Sequence, residues 1–76
     1  MTNEYKLTAR DLEVLTWSSL GKTQEETAEI LGISKNFVGV IRSRIFDKLG
    51  VQNTAGAVGF CFRHGILKIE NNVVEA

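Results

Sequence analysis

Apolar residues in this chain recur at steps of three and four, most clearly at Val38, Ile41, Ile45 and Leu49. That spacing lines one face of a helix and predicts a buried stripe. At about 100° per residue, the opposite face carries Asn36, Gly39, Val40, Ser43 and Asp47. Lys35 stands at its leading end, with Arg42, Arg44 and Lys48 on the flanks. The helix ends are marked as clearly as the faces. Thr8 and Asp11 form a shortened capping box, with Leu7 and Leu12 at the staple positions. Leu12 and Leu15 mark the apolar side of this first helix, and Gly21 supplies a left-handed stop. Thr23 with Glu26 opens a second helix that Gly32 ends, and Ser34 caps a third that runs to Gly50. Asn53 or Thr54 caps a fourth, ending near His64-Gly65, in which Val58 and Phe62 read as the core pair. The pattern predicts an all-α domain, a four-helix bundle with a central helix-turn-helix from Thr23 to Gly50. Its expected span is 7–67, with an N-terminal tail at 1–6 and a C-terminal tail at 68–76.

Composition narrows the function classes. Seventy-six residues with 43% apolar content suit one small core. No apolar run approaches the ~20 residues a membrane span needs, and the start MTNEYKL lacks the layout of a signal peptide. One cysteine forms no internal disulfide, which fits a cytoplasmic protein. Net charge is zero, without the basic excess usual in nucleic-acid binders. The charge is polarised, however. Residues 1–33 carry three cations against six carboxylates, whereas residues 34–50 carry four cations against Asp47 alone. The positive part is the proposed recognition helix.

Catalytic chemistry finds little support. Cys61 and His64 share a helical face, but no carboxylate orients the histidine and no phosphate loop or nucleophile elbow is present. A buried structural thiol and a histidine at a helix C-terminus account for both. One Cys and one His build no zinc site. No enzyme activity, metal or cofactor is expected. Glu25, Glu26 and Glu29 read as a solvated face and Trp17 as a packing or partly exposed aromatic.

The stretch LTARDLEVLTWSSLGKTQEETAEILGIS, followed by KLGV and GIL, resembles the LuxR-type (GerE-like) helix-turn-helix of quorum-sensing and response-regulator transcription factors. The resemblance covers Leu7 to Leu67, and the Trp17 position is similar to the acyl-homoserine-lactone branch. It implies a bacterial four-helix DNA-binding domain, with the third helix in the major groove and dimerisation through the fourth. Family base contacts then fall at Gly39, Val40 and Ser43, and backbone contacts at Lys22, Thr23 and Lys48. Relatives often place Arg or Lys at the Gly39 and Ser43 positions, His at Ile41 and Thr at Phe37. They also carry a sensor or receiver domain ahead of this module. None precedes it in this sequence, so a stand-alone member without a small-molecule ligand is the expectation, an isolated fragment the alternative.

Two functions follow. In the first, a dimer binds double-stranded DNA. Lys22, Thr23, Lys35, Arg42, Arg44 and Lys48 grip phosphates, and Asn36, Val40 and Ser43 read bases, with Gly39 on the same face. In the second, the chain is an antagonist that binds a larger LuxR-type regulator as a heterodimer, through the fourth or the acidic second helix. Ala55, Gly56, Gly59, Phe60 and Arg63 are the candidate dimer seam. Close packing within the monomer is the alternative reading of these small residues.

Overall fold

The computed structural model describes residues 4–70 and 73–75. Among them, α1 spans Ala9–Ser19, α2 Gln24–Leu31, α3 Lys35–Leu49 and α4 Thr54–Arg63, followed by strands β1 (Lys68–Glu70) and β2 (Val73–Glu75).

Each helix begins where a side chain can satisfy its orphan amides. The Thr8 and Thr23 hydroxyls accept from the backbone N–H of Asp11 and Glu26, whose carboxylates accept in return from the cap N–H groups. The Ser34 and Asn53 side-chain oxygens accept from the Phe37 and Gly56 N–H at the starts of α3 and α4, with no carboxylate to reciprocate. Gly32 and Gly50 take φ of 68° and 69°, a left-handed conformation that costs other residues steric strain. At Gly32 this turns the chain sharply into α3, and the Ile33 N–H returns to the Ala28 carbonyl at 3.0 Å.

The core forms where the helices cross. Val38, Ile41, Ile45 and Leu49 of α3 are all buried, against Val14 and Leu15 of α1, Ala28 of α2 and Leu67. Each such aliphatic side chain contributes about 2 kcal/mol of transfer free energy. Val14, unmarked by the sequence pattern, lies deeper than the half-buried Leu12.

Three expectations are corrected. In α4 the inward pair is Ala57 and Cys61, while Val58 and Phe62 are only half-buried. Within the expected tail, residues 68–70 and 73–75 hold paired backbone. β1 and β2 run antiparallel with Ile69 opposite Val74, and Val74 packs on the core. β-Branched residues favour that extended pairing. At the other end of the chain, Tyr5 is no free tail residue. Its ring meets Phe60 edge-on at 5.0 Å, and Phe60 stacks on His64 at 4.1 Å. Met1 to Asn3 lie outside the described residues.

Candidate nucleic-acid interface

The outer face of α3 is set by its inner one. Because the Val38–Leu49 stripe is anchored, Asn36, Val40, Ser43 and Asp47 must face solvent, and all four are exposed. Val40 keeps 52% of its surface, high for an aliphatic residue. With Gly39 and Gln24, these residues border an open groove of about 750 Å³. Lys22 and Thr23 sit just before α2, Lys35 at the start of α3, and all three are exposed, as is Arg44. The Thr23 backbone N–H, then its hydroxyl, holds the Glu26 carboxyl below its usual range, with Lys22 adding attraction. The side chains of Lys22, Lys35 and Arg44 make no hydrogen bond or ion pair among the described residues.

The remaining two flanking cations are engaged inside the molecule. Lys48 Nζ lies 2.6 Å from Asp11 Oδ2 and donates to the Lys6 carbonyl at 2.9 Å. That tie joins the end of α3 to the start of α1. Arg42 Nη1 donates to Gln24 Oε1 at 3.2 Å, and its Nη2 bonds the Thr54 hydroxyl of α4. Arg42 Nε is buried with no partner. The structure therefore brings Asn36, Gly39, Val40 and Ser43 together but ties Arg42 and Lys48 to neighbouring helices.

Gln24 is the groove residue that sequence reading missed. Nothing in its own position, one residue after a cap, distinguishes it from a solvated side chain. Its only trace in the sequence is the glycine opposite, Gly39, where a Cβ would come 3.0 Å from Gln24 Nε2.

Of the candidate seam, Ala55 and Arg63 are exposed and Gly56 and Gly59 half-buried on one side of α4. Phe60 sits at the edge under Tyr5 and His64. Cys61 is fully buried, and burial pushes its thiol up to about 11, so it carries little thiolate. No group of three or more His, Cys, Asp and Glu is placed to hold a metal, among the described residues. None of their helices is long and apolar enough to cross a membrane.

A capped short helix, a glycine turn and a longer helix with an exposed polar face define a helix-turn-helix domain. The chain belongs to the LuxR family of bacterial regulatory proteins, whose GerE domain it matches over residues 5–61. That family is one of regulators rather than enzymes. The chain is 34% identical over 61 residues to the transcriptional regulatory protein MctR of Rhizobium johnstonii, covering 80% of this chain and 28% of MctR. It is 44% identical over 50 residues to the transcriptional activator protein EsaR of Pantoea stewartii, covering 66% of this chain and 20% of EsaR. The crystal structure of Escherichia coli SdiA superposes with a TM-score of 0.78 at 32% identity, over 87% of this chain and 28% of that one. The chain thus spans about a quarter of the length of such relatives, as the 28% of MctR and 24% of the activator EchR of Dickeya chrysanthemi indicate.

Proposed function

We propose that this domain binds double-stranded DNA and regulates transcription, with α3 in the major groove and α4 pairing two copies. The observation that carries the reading is the outer face of α3. It is solvent-exposed opposite a fully buried stripe, and Lys22, Lys35 and Arg44 stand around it with side chains that make no hydrogen bond or ion pair among the described residues. An α-helix fits the major groove, and cations at its margins meet the phosphates on either wall. The relatives named as transcriptional regulators support the same reading. For the pairing, Ala55 and Gly59 keep the α4 surface low, with the flexible Arg63 side chain over Gly59, while Gly56 packs against Val51 and Asn53 of its own chain.

A backbone-amide NMR titration with a mixed-sequence duplex at low salt tests it. Shifts confined to residues 22–24 and 34–48, reversed by added salt, support DNA binding. An unchanged spectrum excludes it.

Two observations favour a second reading, the antagonist that caps a larger family member. Arg42 and Lys48 are spent on internal contacts, and the net charge is zero. This reading expects the unchanged spectrum together with a stable complex when a full-length relative from the same cell is co-expressed.

A further inference from the structure

Gln24 opens α2 and is no part of the α3 pattern, yet its amide lies on the groove face. Nε2 donates to the Lys35 carbonyl at 2.9 Å, and Oε1 accepts from Arg42 Nη1 at 3.2 Å. These partners fix the amide's orientation, because a carbonyl only accepts and a guanidinium only donates. The amide occupies the space over Gly39, where a Cβ would stand 3.0 Å from Nε2. Gly39 is therefore the seat of a polar group supplied by another helix. Gln24 borders the same groove as Asn36, Val40 and Ser43.

A primary amide has two N–H donors and two acceptor sites on its oxygen. Lys35 and Arg42 use one of each, which leaves one donor and one acceptor on the same amide. The major-groove edge of adenine presents the complementary pair, N7 as acceptor and the N6 amino group as donor. We propose that Gln24 reads an adenine in the major groove across Gly39, so that α2 supplies a base contact α3 lacks at that level. Arg42 is a positioning residue. Its guanidinium is tied on its other side to Thr54 of α4, and so holds the amide in register. This inference rests on the DNA-binding reading above.

The test is selection from a random duplex library with the full chain, followed by competition between the selected duplex and its single-base-pair variants. Wild type, Gln24→Ala, Gln24→Glu and Gly39→Ala are compared, each first shown to be folded by its amide NMR spectrum. Wild type is expected to prefer A·T at one position by roughly 5- to 150-fold, the range of a good bidentate contact. Gln24→Ala removes the amide and flattens that position, Gly39→Ala pushes the amide by a few tenths of an ångström and weakens the preference there, and both leave the other positions unchanged. Gln24→Glu cannot donate to N7 and shifts the same position towards C·G, whose amino group a carboxylate accepts. Variants that keep the adenine preference overturn the inference and leave DNA binding intact. Uniform weakening on all duplexes also overturns it, by making Gln24 a phosphate contact. A wild type that selects no duplex at low salt overturns both this inference and the DNA-binding reading.

Discussion

Asp11 joins two helices through one oxygen. Its Oδ2 accepts from the Thr8 N–H at 2.9 Å and from Lys48 Nζ at 2.6 Å, while its Oδ1 is buried with no partner. Burial by itself raises the carboxyl, but the Lys48 ammonium and the Thr8 N–H more than offset it and hold it below its ordinary 3.8. A carboxyl lowered in the folded state stabilises that state above the ordinary value, and this stabilisation is lost as pH falls through the folded value. Asp11→Asn keeps the size and an acceptor for Thr8 but strands Lys48. It is expected to cost about 3 kcal/mol at neutral pH, the low end for a broken buried pair because the lysine can reach water. Urea unfolding near pH 7 and near pH 3 checks this, with a gap between wild type and variant that narrows in acid. An equal gap at both values removes the ion pair from the account. Thr27 is a different case, since its hydroxyl is buried without a partner. An unsatisfied buried hydroxyl costs about 1–3 kcal/mol, so Thr27→Val is expected to raise stability by about 1 kcal/mol in the same assay.

Among the elements, α2 and α3 were the most legible, because their signals are local. The Thr23–Glu26 box, Gly32, Ser34 and Gly50 each act within a few residues, and the stripe from Val38 to Leu49 repeats over about three turns. In α4 the composition misled. Two large residues, Val58 and Phe62, outweigh Ala57 and Cys61 in a reading that ranks by hydrophobicity, whereas the pair the fold buries is the smaller one. The hairpin after Leu67 had a signal too, β-branched residues on both sides of Asn71-Asn72, too short to stand out from a tail. Gly39 shows how an element can be weakened locally for a contact elsewhere. A helical glycine costs about 1 kcal/mol against alanine, and here the open space seats Gln24. The contact in Gly39→Ala is with the far end of a flexible side chain, which gives way by a few tenths of an ångström at the expense of its two hydrogen bonds. Gly39→Ala should therefore raise the melting temperature, by about 3–6 °C for a domain of this size. A lower melting temperature would mean that the Gln24 bridge holds α2 against α3 more strongly than propensity opposes it.

At the scale of the whole molecule, the sequence hides what long separations decide. Lys48 meets Asp11 across 37 positions and Arg42 meets Gln24 across 18, so neither pairing has a local mark. Counted from the sequence, five cations lie in or beside the helix-turn-helix: Lys22, Lys35, Arg42, Arg44 and Lys48. The fold divides them into two structural ties and three unengaged side chains, and the division has a measurable consequence. Each phosphate neutralised adds about 0.9 to the slope of log affinity against log salt, so Lys22, Lys35 and Arg44 together give ~2.7 per domain, against ~4.5 for all five. Fluorescence anisotropy with a labelled duplex over a salt series distinguishes these values. A slope near the smaller one, falling by about 0.9 in Arg44→Ala and unchanged in Lys48→Met, places the ties outside the interface. A slope near the larger one requires both Lys48 to leave Asp11 and Arg42 to leave Gln24 on binding. Affinity of the folded domain would then rise as pH falls through the Asp11 value, because a protonated Asp11 no longer holds that lysine back from the phosphate.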